Sequence, residues 1–137
     1  MSKPDTAARR LAGTALAPVG SRLVLAEWTA DGSMGEEPLY QAPLHKHSEE
    51  DEAWYVLEGT LRVRVGEQVE EVTAGGAVIV PSGTAHTFWN PCPEPTRYLL
   101  LMGRQTHELI QAIQAADDRS PAHMRQLFAT HGATLLA

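Results

Sequence analysis

The sequence predicts an all-β domain, a sandwich or a barrel, and two observations carry the prediction. Short apolar segments follow one another from residue 52 to residue 102, each bounded by glycine, proline or asparagine, as strands joined by turns would be. Within them, Leu61-Arg62-Val63-Arg64-Val65 alternates strictly, with the valines on one face and the arginines on the other. That is the pattern of a half-exposed antiparallel strand.

From Thr6 to Ala12 the chain reads as a short helix or a frayed arm, so residues 1–20 are assigned to an N-terminal arm. Leu23, Leu25 and Trp28, with Val24 and Ala26, make Ser21–Thr29 the first strand, stopped by the Asp31-Gly32 turn. A loop leads to Tyr40, and strands are then expected at 52–57, 60–65, 68–73, 77–80, 85–89 and 96–102. Residues 21–103 are therefore the β domain. The last third changes character. Thr106 is the expected N-cap of a helix to about Asp117, with Leu109, Ile110 and Ile113 at helical spacing. Ser120-Pro121 supplies a cap with proline at the first position of a second helix, which carries Met124, Leu127 and Phe128 and which Gly132 would stop. The simplest place for these apolar stripes, over residues 104–137, is against the outside of the β domain; closing a dimer or shielding one mouth of it is the alternative.

Composition narrows the function classes. A chain of 137 residues with 43% hydrophobic and 20% charged residues is expected to be one soluble globular domain. No apolar run approaches the roughly 18 to 20 residues needed to cross a bilayer. Asp5 and two arginines interrupt the alanines of the N-terminal stretch, which argues against a secretory leader and for a cytoplasmic protein. A formal charge of −6 without a basic cluster argues against nucleic-acid binding. The single cysteine, Cys92, lies in the turn-like Asn90-Pro91-Cys92-Pro93 and reads as an idle or buried thiol.

Two glycine-framed stretches carry the chemistry. The first runs His45-Lys46-His47, four residues to Glu52, and six residues to Gly59. The second runs Gly75, five residues to Pro81, then Ser82 and Gly83, two residues to His86, and three residues to Asn90. In an extended segment His45 and His47 share a face, and a carboxylate plus a third imidazole from a distant strand would complete a nitrogen and oxygen ligand set with positions left open.

These stretches resemble the two motifs of the cupin superfamily, most closely the small single-domain, quercetin-dioxygenase-like type, over about residues 40 to 102. One position departs from the pattern: Leu39 stands six residues before the first histidine, where a glycine is common. The family allows three or four residues before the acid, and Glu52 rather than Asp51 has the correct distance to Gly59. The resemblance implies a cupin jelly-roll β-barrel, a double-stranded β-helix, with a short C-terminal helical extension. It also implies one divalent transition metal ion, iron, manganese, nickel, cobalt, copper or zinc, on His45, His47, Glu52 and His86. Neutral imidazole is the ligand form, so affinity is expected to fall as pH drops through the imidazole range. A divalent ion with three neutral imidazoles and one carboxylate leaves a net charge of about +1, which favours enolates, carboxylates or dioxygen at the open positions.

Strand parity puts Trp54 and Val56 on the face of Glu52, and Phe88 and Asn90 on the face of His86. Trp54 and Phe88 are thus candidate substrate contacts or core; Asn90 more simply fixes a turn. Glu49, Glu50 and Asp51 read as a solvated loop, and His107, His123 and His131 follow no ligand spacing. No catalytic acid or base stands out. The leading expectation is a metal-dependent enzyme, dioxygenase or isomerase in type, acting on a small organic molecule, as a homodimer. The alternative is a noncatalytic small-molecule-binding or sensing module, for which no adjoining DNA-binding helix-turn-helix speaks.

Overall fold

The computed structural model describes residues 7–33, 35 and 37–136. In chain order its elements are β1 (Ala15–Leu16), β2 (Leu23–Ala30), β3 (His45–His47), β4 (Glu52–Glu58), β5 (Thr60–Val65), β6 (Gln68–Thr73), β7 (Ala77–Val80), β8 (His86–Trp89), β9 (Thr96–Gly103), α1 (Arg104–Ala115), α2 (Pro121–Thr130) and β10 (Ala133–Leu135). Of the expected N-terminal arm, residues 1–6 lie outside the described residues; residues 7–20 hold no helix, and Ala15 and Leu16 pair with Ala26 and Leu25 at a sheet edge.

The strands form two antiparallel five-stranded sheets, ordered β1, β2, β9, β4, β7 and β10, β3, β8, β5, β6. This is a cupin-like jelly roll, but the expected barrel is corrected: the sheets do not close on one another. Each keeps its own edge strands, β1 and β7 in one, β10 and β6 in the other. The core lies between them, with Val24, Trp54, Val56 and Leu100 of the first sheet facing Leu61, Val63 and Phe88 of the second. Each such side chain contributes roughly 1.5–3 kcal/mol on burial. Strand alternation decides which residues these are. Leu61 and Val63 are fully buried while Arg62 between them is exposed and pairs with Glu71 at 2.8 Å.

At the β4 to β5 turn, Gly59 has φ +97°, and a Cβ there would collide with Thr96 Oγ1. Only glycine suits both demands. The Thr96 hydroxyl accepts from the Thr60 amide at 2.9 Å and donates to the Thr60 carbonyl at 2.7 Å, locking the turn to β9.

The expected start of the first helix is also corrected. Its N-cap is Gly103, and Thr106 lies inside the first turn, buried. Ser120 caps α2 as expected, its hydroxyl accepting from the His123 amide, with Pro121 at the start. β10 was not foreseen: three residues after Gly132 are too short to show a period, and only pairing with β3 makes them a strand. No described helix is long and apolar enough to cross a membrane.

Candidate metal centre

β3 presents its residues in the order buried, exposed, buried, so that His45 and His47 point inward and Lys46 outward. β8 pairs with β3 through His45 and His86, bringing the third imidazole alongside. Glu52 opens β4 on the opposite sheet and is 6% exposed. One ligating atom from each of His45, His47, Glu52 and His86 lies within 4.8 Å of the others. The structure therefore brings together all four residues picked out in the sequence, and Asp51 is excluded from the cluster. Its carboxylate instead accepts from the Ser82 amide at 2.8 Å.

Each imidazole has its tautomer set from outside. His45 Nδ1 lies 2.6 Å from the Pro43 carbonyl and His86 Nδ1 lies 2.9 Å from the Thr84 carbonyl. A carbonyl only accepts, so both Nδ1 atoms carry hydrogen and both Nε2 atoms turn a lone pair inward. For His47, the Thr106 hydroxyl donates to Glu50 Oε1 at 2.7 Å and its oxygen faces His47 Nδ1 at 3.4 Å. The same tautomer results. His45 Nε2 and His47 Nε2 are then 3.2 Å apart, and Glu52 Oε1 lies 2.8 Å from His47 Nε2 and 3.0 Å from His86 Nε2. Lone pairs this close repel unless a cation stands among them. The donor set fits a divalent transition metal ion, and four buried residues could hold one.

The electrostatics favour the ligand form at His45 and Glu52, while at His86 a proton competes for the same lone pair. Burial, with the neighbouring His86 next in weight, lowers the His45 pKa from 6.5 to about 4, keeping it neutral. Burial opposes ionisation of Glu52, but His47 and His86, which in the metal-free protein can turn an Nε2–H rather than a lone pair to its carboxylate, outweigh it and bring its pKa down to about 2. Burial also opposes charge on His86, and here Glu52 prevails and raises the pKa. For the metal-free protein the signs separate. Between pH 6.5 and 4 the unfolded chain binds a proton at His45 that the folded chain refuses, so stability present above pH 6.5 is lost on acidification. Glu52 adds a loss below pH 4.5, as pH falls towards 2. His86 acts in the opposite sense, stabilising below pH 6.5 and losing that contribution as pH rises through its raised value. Denaturant titrations of chelator-treated protein are expected to show stability falling by up to about 3 kcal/mol from His45 as pH is lowered, less the His86 contribution.

The cluster opens on a cavity of about 400 Å³. α1 supplies Leu109, Ile110 and Ile113 to its wall and α2 supplies Phe128, whose ring stands edge-on to His45 at 5.4 Å between centroids. The C-terminal helices thus cover the mouth of the sandwich rather than lying wholly against its outside.

Glu50, expected in a solvated loop, is the residue that ties this cover down. Its carboxylate accepts from the amides of Gln105 and Thr106 at 3.1 and 2.7 Å, doing for α1 what Gly103 cannot. A Cβ on Gly103 would collide with that carboxylate, so glycine there permits the approach. The contact spans more than 50 residues of sequence and no local pattern announces it. Glu50→Ala is expected to cost about 1–2 kcal/mol by removing the cap and to weaken metal binding roughly tenfold by freeing Thr106 from His47. Thermal melts and metal titration read the two effects separately.

Trp54 and Phe88 line the cavity and also belong to the core, 1% and 8% exposed, with ring centroids 5.3 Å apart. Tyr98, Leu100 and Thr106 also line the cavity, without having been foreseen there. Asn90 has the turn role expected of it: its side chain donates to the Ala30 and Glu94 carbonyls and accepts from the Cys92 amide. Cys92 is a half-buried free thiol, and His107, His123 and His131 lie outside the cluster.

The cupin domain family model matches residues 35–102. A 48-residue stretch is 38% identical to mannose-1-phosphate guanylyltransferase 2 of Escherichia coli O157:H7, covering 35% of this chain and 10% of that one. The chain thus spans a tenth of that relative's length. Among solved structures, the TT1209 protein from Thermus thermophilus is 27% identical with a TM-score of 0.52, over 60% of this chain and 72% of that one. A sugar phosphate isomerase from a cupin superfamily, from Silicibacter pomeroyi, is 22% identical with a TM-score of 0.53, over 61% and 52%. A cupin-2 domain containing protein from Shewanella frigidimarina is 20% identical with a TM-score of 0.53, over 71% and 84%.

Proposed function

We propose for this chain, which belongs to the cupin superfamily, the role of a metal-dependent enzyme of dioxygenase or isomerase type acting on a small organic molecule. The observation that carries the reading is the convergence of three inward-facing Nε2 lone pairs and one carboxylate oxygen at the base of a cavity. His45, His47, Glu52 and His86 would hold one iron, manganese, nickel, cobalt, copper or zinc ion. Such an ion supplies Lewis acidity or a place for dioxygen to be activated. The chain's own contribution is binding and exclusion of water. Trp54 and Phe88 would contact the substrate, and Leu109, Ile113 and Phe128 shield it from solvent. Tyr98, on the same wall, has its pKa raised by burial and then by the Glu52 charge, so it remains a neutral phenol able to donate.

Elemental analysis of protein purified without chelator is the test, expected to give about one equivalent of metal, followed by oxygen-uptake and isomerisation assays. Absence of metal, and no uptake from a divalent panel, overturns the reading. A noncatalytic binding module is the second reading, favoured by one observation: among the described residues Glu52 is the sole carboxylate on the wall and is itself a ligand candidate, leaving no separate acidic base. Stoichiometric ligand binding without turnover would select it.

A homodimer in the cytoplasm completes the proposal. The outer face of the first sheet sets Leu25, Leu101, Ala53 and Ile79 side by side across four strands, next to Leu99 and Tyr55. Ile79 is 67% exposed. A second copy of the chain would cover this face, since a protein surface rarely leaves such an apolar row open. Sedimentation is expected to show a dimer that Ile79→Arg converts to monomer.

A further inference from the structure

The described wall of the cavity carries no cation. Beyond the ligand cluster its polar side chains include Thr29, Gln41, Thr106 and Gln114, and neither lysine nor arginine is among the described lining residues. With the metal reading above, the centre has a net charge of about +1. A singly charged ligand would neutralise it. A phosphate monoester, doubly charged, would leave an unmatched negative charge against leucine, isoleucine and phenylalanine, which is costly in a desolvated site.

A second observation concerns Trp54. Its indole Nε1–H is buried and has no hydrogen-bond partner, while the rest of the side chain packs against His86 and Phe88. A buried donor left unmade is unfavourable, and an acceptor oxygen on a bound molecule would satisfy it.

We propose that the cavity selects a singly charged, largely apolar oxygen ligand, a carboxylate or enolate on an aromatic or aliphatic body, and discriminates against phosphate esters. One oxygen faces the metal-binding cluster, another accepts from Trp54 Nε1–H, and the body lies against Leu109, Ile113 and Phe128. This selectivity rests on the metal reading, and bound zinc is the quantity that separates a failure of one from a failure of the other.

Calorimetric titration of zinc-loaded protein compares phenylpyruvate with ribose 5-phosphate, with bound zinc measured in every sample. Phenylpyruvate is expected to bind at least about tenfold more tightly. Trp54→Phe, which keeps an aromatic ring, is expected to weaken phenylpyruvate by roughly fivefold at unchanged zinc content. Gln114→Lys, which adds the missing cation, is expected to strengthen ribose 5-phosphate binding and leave zinc content unchanged. Equal or tighter binding of ribose 5-phosphate by the unaltered protein, no binding of phenylpyruvate, or full phenylpyruvate affinity in Trp54→Phe overturns the proposal when zinc is at one equivalent. Protein that takes up neither zinc nor any other ion of the divalent panel overturns the metal reading, and the proposal with it.

Discussion

His86→Ala is expected to reduce bound metal from about one equivalent to nearly none while the two sheets persist. His86 supplies one of four converging ligand atoms and is the partner of His45 across the β3 to β8 register. Alanine removes a donor that nothing else supplies, because among the described residues the cluster holds four side chains with one ligating atom each. In metal-free protein the change also takes a partner from Glu52, a loss of about 1–3 kcal/mol. Elemental analysis with circular dichroism checks both halves of the expectation. His123→Ala, in α2 and outside the cluster, should retain the metal. Full metal content in His86→Ala would remove this residue from the ligand set.

Trp54→Ala is expected to be the most damaging single truncation for stability, at about 3–5 kcal/mol. The indole is 1% exposed and packs with Phe88 at 5.3 Å and His86 at 5.9 Å, so its removal leaves a void beside the metal cluster as well as in the core. The variant should unfold at markedly lower denaturant concentration. A loss below about 1 kcal/mol would mean that the cavity wall collapses to fill the space. Trp54→Phe is the change that isolates ligand binding from this packing role.

Much of this architecture is local information. The β5 bounds follow from alternation, and those of β6 and β7 from the flanking Gly66, Gly75, Gly76 and Pro81, signals that act within a few positions of each other. His45 and His47 share a face because a strand has a period of two, and the spacing from His47 to Glu52 to Gly59 survives in the folded site. What could not be read locally depends on contacts across tens of residues. Glu50 looked like one charge in the acidic run 49–52; the carboxylate becomes the cap of α1 only because the junction of β9 and α1 brings Gly103, Gln105 and Thr106 to it. Ala133–Leu135 becomes a strand only beside β3. Phe128 joins the cavity because α2 folds back over His45.

The alternation of side chains along each strand, the four candidate ligands and the parity that places Trp54 and Phe88 near them are written in the chain, since each depends on backbone period and spacing. Folding in three dimensions decided that the sheets stay open at their edges, that helices cover the site, and that its described wall lacks a cation. Those properties belong to surfaces assembled from distant segments, whose partners carry no mark of one another along the chain.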